Sequence, residues 1–168
     1  AAAGLELRWI FRQWSAFGGA LEAGECDAIW CGCAVTPERS RRFSFTSPYA
    51  VFDESVVVRP ETEVAGPGDL RGLRVLAIEG STNMALAETF EGAVPVPFAA
   101  ATDDVLGDML ALLRDGEVDA LVDDEVCFID PDPTIRVAFT VPTRNAWAGA
   151  CRRGEAELVE RLDAALAG

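Results

Sequence analysis

Two stretches of this chain follow one plan. LEAGECDAIW (21–30) and LLRDGEVDALV (112–122) each leave an apolar helical face through a glycine and an acid, then enter Asp-Ala and an apolar run. A helix stopped by glycine and followed at once by a compact apolar strand is the sequence form of an α/β unit, since a strand buried on both faces reads as near-continuous apolar residues. The plan occurs twice, so the chain is expected to build two α/β lobes of like construction. It is an echo of arrangement and not a formal repeat.

The remaining periodicities fill in that frame. LELRWIF (5–11) alternates and is aromatic-rich, the pattern of a strand. Trp14, Phe17, Ala20 and Leu21 fit one helical face ending at Gly24, and residues 27–31 read as a buried parallel strand, which gives a first β-α-β unit. Residues 43–45 and 55–59 are strands around the Ser47-Pro48 turn, and residues 66–72 form a glycine- and proline-rich junction. Residues 74–78, 80–92, 94–98, 103–114 and 118–122 then read β-α-β-α-β, with the prolines of VPVPF marking an edge strand. Residues 135–140 and 146–151 are read as two strands and 156–166 as an amphipathic helix. The expected lobes are residues 1–60 with 141–168, and residues 61–140, joined by hinge strands near 52–62 and 135–142.

Charge limits the partners. The 168 residues carry 28 acids against 14 basic residues, all arginine, for a net charge of -14. Phosphate binding needs clustered positive charge, so nucleic acid and anionic membrane surfaces are poor partners. No apolar run reaches the eighteen or so residues that a membrane-spanning helix needs. Five cysteines without histidine argue against zinc, no metal or cofactor is expected, and Cys31 and Cys33 read as small buried side chains. A disulfide from Cys26 stays open as an alternative. The chain opens at AAAGLELRW with neither Met nor a signal pattern, so either its start has been removed or the chain is a fragment.

Four segments fall where open α/β sheets hold ligands, at strand C-terminal ends and helix starts. In VTPERSRRF, Arg39 offers a fork of donors suited to a carboxylate, while Arg41 and Arg42 read as surface charges. In EGSTN, Ser81 and Thr82 present hydroxyls beside Asn83; an ordinary helix cap accounts for the same residues. In DDE (123–125) three adjacent acids repel one another and invite a cation, although a solvated acidic turn is the plainer account. Trp14 with Phe17 could wall a pocket or simply fill a core. An arginine on one side and a carboxylate on the other suit a zwitterionic guest, whose two charges would each find a partner.

In order, GECDAIWCGCAVTPERSRRFSFTSPY, DLRGLRVLAIEGSTNMAL, LLRDGEVDALVDDEV and NAWAGACRRGEAELVERL resemble the polar amino-acid family of bacterial extracellular solute-binding proteins, the capture components of ABC importers. The resemblance implies a two-lobed periplasmic-binding-protein-like α/β fold, a Venus flytrap that closes on its ligand. It puts Arg39 on the ligand α-carboxylate, with Thr82 and Ser81 beside it and Asn83 next in line. It puts Asp124 on the α-ammonium, Gly32 and Ala34 at the pocket border, and Trp14 at its wall. Ala34 departs from the pattern, for a hydroxyl residue usually stands there. The family's usual first strand and helix precede anything present here, so the N-terminal lobe is expected to be incomplete, with an unpaired edge that a second copy could cover. The end at Gly168 also precedes the usual closing segment.

The function expected from this resemblance is extracytoplasmic capture of a small zwitterion, an amino acid, for a membrane ABC permease. Lipid anchoring is compatible with it. The acids at 123–125 tilt the guest toward a basic or polar side chain. Two alternatives use the same fold: a cyclohexadienyl or arogenate dehydratase-like enzyme with Glu79 or Asp123 as general acid, and the ligand-sensing domain of a receptor.

Overall fold

The structure, a computed structural model, describes residues 4–130 and 132–168. In chain order its elements are α1 (Phe17–Glu22), β1 (Ala28–Ile29), α2 (Pro37–Arg42), β2 (Phe43–Phe45), β3 (Ala50–Val58), β4 (Arg74–Ile78), α3 (Thr82–Ala87), β5 (Val94–Phe98), α4 (Val105–Arg114), β6 (Ala120–Asp124), β7 (Arg136–Trp147), β8 (Ala150–Arg152) and α5 (Ala156–Ala167). They divide into two compact units. The first holds the chain up to Arg12, Ala16–Val51 and Arg144–Gly168; the second holds Gln13–Ser15 and Phe52–Thr143.

In the second unit a five-stranded sheet runs β5-β4-β6-β3-β7. β4 is parallel to β5 and β6, and β3 is antiparallel to β6. From β4 the chain crosses through α3 to β5 on one side, then returns through α4 to β6 on the other. The C-terminal ends of β4 and β6 therefore flank the point where the strand order reverses, the place where open sheets take ligands. Apolar clusters cover the sheet: Val56, Val58, Val75, Ala77 and Val122 with α3, and Val57, Leu76 and Leu121 with Met109 and Leu113 of α4. β5 lies at the sheet edge, where Pro95 and Pro97 need no ladder donors.

The first unit is built around a three-stranded sheet, β1-β8-β2, antiparallel throughout. Its buried cluster is small: Leu21, Ile29, Cys33, Phe43 and Ala150. On α5 the apolar positions Leu158, Val159 and Leu162 are only half-buried, and Leu166 is exposed.

The repeated Asp-Ala plan has one electrostatic purpose in both units. Asp119 takes a two-pronged contact from Arg74 of β4, at 2.9 and 3.0 Å, and this pairing lowers its pKa. Asp27 accepts from Arg152 of β8 at 3.2 Å, while the same guanidinium holds the Cys26 carbonyl at 2.7 Å. In each case an acid one residue ahead of the Ala-apolar run ties that run to an arginine of the neighbouring strand.

Three expectations need correction. Residues 5–11 form no strand: they have no ladder partner among the described residues, and Leu7, Trp9 and Phe11 stand exposed. β1 is a two-residue strand paired antiparallel with β8, not part of a parallel β-α-β unit, because its neighbour comes from the far end of the chain. The strands read at 135–140 and 146–151 are divided differently, into the long β7 and the short β8. β7 runs through Pro142 because it is an edge strand, where a missing N–H donor is tolerated.

All five cysteines are free thiols. Cys33 and Cys151 are buried, Cys26 and Cys31 half-buried, and Cys127 exposed. Burial pushes Cys31 up to about 12 and Cys151 to about 11, and raises Cys26 and Cys33 as well.

Candidate functional site

In the second unit, Ser81, Thr82, Asn83 and Asp124 come together at the ends of β4 and β6. Ser81 caps α3: its Oγ accepts from Met84 N at 3.0 Å and donates its one proton to Ile78 O at 2.6 Å, and the side chain is buried. Thr82 follows, half-buried, with Oγ1 donating weakly to Asn83 Oδ1 at 3.4 Å. Asn83 is buried, and its amide nitrogen reaches two carboxylates, Asp123 Oδ1 at 3.3 Å and Asp124 Oδ1 at 3.2 Å. That amide is used inside the protein; its work is to hold Asp124.

The acids are less solvated than an acidic turn would make them. β6 continues through Asp124, and register places Glu54 opposite Asp124 and Ser55 opposite Asp123. Glu54 is 1% exposed and Asp123 7%. Burial, then the neighbouring Asp123, raises Asp124 to about 7, with Glu54 adding to it and Asn83 opposing. Burial raises Asp123 to about 6, against the backbone N–H of Asp124 that donates to it at 2.8 Å. Glu125 points elsewhere and accepts from Asp53 N at 3.1 Å. A half-buried carboxyl desolvated in this way gains strongly from a cationic partner, because the charged form lacks water to stabilise it.

In the first unit the three arginines differ in burial and contacts. Arg42 makes a bidentate contact with Glu22, at 2.9 and 3.0 Å, and lies over the Phe43 ring at 5.1 Å. Arg41 is exposed and Arg39 half-buried. Thr36 caps α2 by accepting from Arg39 N at 3.1 Å, and Pro37 supplies the preset φ of a helix start. The short helix turns Arg39 back on its own approach strand, where Nη1 donates to Ala34 O at 3.0 Å. Ala34 is buried and carries this anchor through its carbonyl. Gly32 lies under the indole of Trp147: a Cβ on Gly32 would come within 2.8 Å of that ring. Trp14, half-buried, opens a 3-10 turn ahead of α1 and groups with the second unit, where its neighbour Gln13 donates to Ala99 O at 3.3 Å.

Sequence reasoning missed Glu54 and Trp147. Nothing in FDESVVV distinguishes Glu54 from a solvated acid until β3 is paired with β6. Trp147 could have been found, since Trp30-Cys31-Gly32 and Trp147-Ala148-Gly149 share the spacing Trp-x-Gly.

A family model for bacterial extracellular solute-binding proteins, family 3, matches residues 1–168. The chain belongs to this family. This solute-binding chain is 35% identical over 80 residues to a probable amino-acid-binding protein, YxeM, of Bacillus subtilis (strain 168), covering 47% of the chain and 30% of that protein. It is 25% identical over 169 residues to a probable amino-acid ABC transporter-binding protein of Haemophilus influenzae, covering 97% of the chain and 63% of that protein. It thus spans less than two thirds of the length of either relative. Among solved structures, an ancestral arginine-binding protein bound to arginine superposes with a TM-score of 0.87 at 22% identity, over 98% of this chain and 74% of that one. The fold is therefore the two-lobed α/β fold of periplasmic binding proteins, and this chain corresponds to about three quarters of it.

Proposed function

We propose that this chain captures a small zwitterionic solute, an amino acid, outside the cytoplasm for delivery to a membrane ABC permease. Arg39 takes the carboxylate, with Thr82 contributing a hydroxyl, and Asp124 takes the ammonium. The observation that carries this reading is the state of Asp124: a carboxyl at a sheet switch point, desolvated and positioned by Asn83, in a member of a solute-binding family. Arg39 and Asp124 are both half-buried, each held by a neighbouring group of its own unit. Exposed Leu7, Trp9 and Phe11 in the first unit support a second copy of the chain as a further partner.

Thermal shift against a panel of the standard amino acids and prephenate tests the proposal. A true ligand at a hundred times its dissociation constant stabilises the protein by about 2.7 kcal/mol. Arg39→Ala and Asp124→Asn each remove a charge-assisted contact of about 2 kcal/mol and weaken binding roughly thirtyfold. Amino-acid responses that survive both substitutions place the site elsewhere. A response to prephenate alone, with turnover, replaces capture by the dehydratase chemistry.

A further inference from the structure

Trp147 and Trp30 make a reciprocal pair of contacts that the binding residues above do not explain. Trp30 lies on Gly149, where a Cβ would collide with its ring, and Trp147 lies on Gly32. Each indole fills the space that a glycine two residues beyond the other tryptophan leaves open. Between these contacts the register changes. Ile29 pairs with Ala150 and Ala34 with Trp147, so five steps along one strand are matched by three along the other. The surplus is a bulge at Cys31–Cys33, closed by a tight turn in which Cys33 N donates to Cys31 O. Bulges of this kind re-aim the backbone and are frequent beside functional sites.

The bulge sets Gly32 against one side of the Trp147 ring and leaves the ring half-buried. The main chain on each side is fixed: Val35 N donates to Ala146 O at 2.8 Å, Ala148 N to Cys33 O at 3.2 Å, and Tyr49 N to Trp147 O at 2.9 Å. Beyond the bulge, the carbonyl of Ala34 receives Arg39. One short segment therefore carries the indole's seat at Gly32 and the anchor of the carboxylate-binding arginine two residues later. Trp30 differs, being stacked with Tyr49 at 5.5 Å and seated on Gly149, whereas Ala34, the anchor of Arg39, is paired with Trp147.

We propose that Trp147 is a specificity-determining residue: its indole receives the side chain of the amino acid whose carboxylate Arg39 holds, favouring aliphatic stems and cations over small or anionic side chains. This inference rests on the proposed capture function. Ala34, whose carbonyl holds Arg39, is paired across the ladder with Trp147, so a guest carboxylate at Arg39 would have its Cα substituent on the Trp147 side, and an indole face attracts both apolar groups and cations.

The test is a set of dissociation constants measured by calorimetry for the parent, Trp147→Ala, Trp147→Phe, Gly32→Ala and Trp30→Phe. The best-binding amino acid is compared with the smallest one that binds. Trp147→Ala should weaken the former by about tenfold, a loss of about 1.4 kcal/mol, while the latter changes by less than about twofold. Trp147→Phe should fall between parent and Trp147→Ala, and keeps the question answerable if the alanine variant does not fold. Gly32→Ala, which displaces the indole, should act in the same direction, and Trp30→Phe should leave the ratio unchanged. Equal weakening of every guest, or no change, overturns the role of Trp147 while leaving the capture function standing. A parent that binds no amino acid overturns both.

Discussion

At the scale of single residues, the buried carboxyls at the end of β6 govern how stability depends on pH. Asp123 titrates near 6 and Asp124 near 7, both above the ordinary carboxylate range because burial penalises the charge. The folded chain thus keeps protons that the unfolded chain releases above about pH 4. Stability contributed by the protonated forms is complete below that pH, falls as pH rises through 6 and 7, and levels off above. For Asp123 alone the loss is on the order of 2–3 kcal/mol. Asp123→Asn retains an acceptor for Asp124 N and for Asn83 but removes the charge. It should raise the melting temperature at pH 7.5 by on the order of 5 °C and flatten the profile between pH 4 and 7. Calorimetric melts of parent and variant across that range check this; parallel profiles would return Asp123 to the solvated acids. For Arg39 the residues alone allowed an ordinary surface charge as well as a carboxylate contact, and only the family resemblance set it apart from Arg41 and Arg42; the structure adds that it is half-buried against the Ala34 carbonyl. The sequence spoke misleadingly about Asp123, since adjacent acids in so acidic a chain read as surface until strand pairing buries one of them.

Among the elements, α4 holds a conflict that a propensity argument alone would miss. Gly107 sits in its first turn, where alanine normally gains up to about 1 kcal/mol. Here the cap carboxylate of Asp104 accepts from Gly107 N at 3.0 Å and occupies the space a methyl group would need, with Oδ2 where that methyl would stand. Gly107→Ala should therefore give no gain, because the methyl displaces a cap of similar value. In an Asp104→Ala background the same change should stabilise by about 0.5–1 kcal/mol, and a double-mutant cycle of urea melts reads the coupling directly. Element recognition from sequence followed the same line between local and distant causes. β4, α3, β5, α4 and β6 were legible because each is bounded by its own glycines, prolines and caps. β1 was misread as parallel, and residues 5–11 as a strand, because a ladder partner is a tertiary fact. Alternation along LELRWIF says only that the segment could pair.

For the molecule as a whole, the two units differ in how much they bury. The second has clusters of eleven and seven buried residues on the two faces of its sheet; the first has one cluster of five, with α5 contributing no buried residue. Local opening free energy follows buried apolar contact, so amides of β1, β2 and β8 should exchange with solvent well before those of β4 and β6. Hydrogen exchange read by mass spectrometry decides this, and uniform protection across both sheets would refute it. Saturating amino acid should slow exchange around Arg39 and Asp124 together if both hold the same guest. The thiols carry a last consequence. With its pKa pushed up to about 12 by burial, the Cys31 sulfur is almost wholly protonated at neutral pH, and only the ionised form attacks a disulfide or an alkylating reagent. Cys31, Cys33 and Cys151 can therefore meet air unbridged, kept chemically quiet by the same packing that keeps them from water.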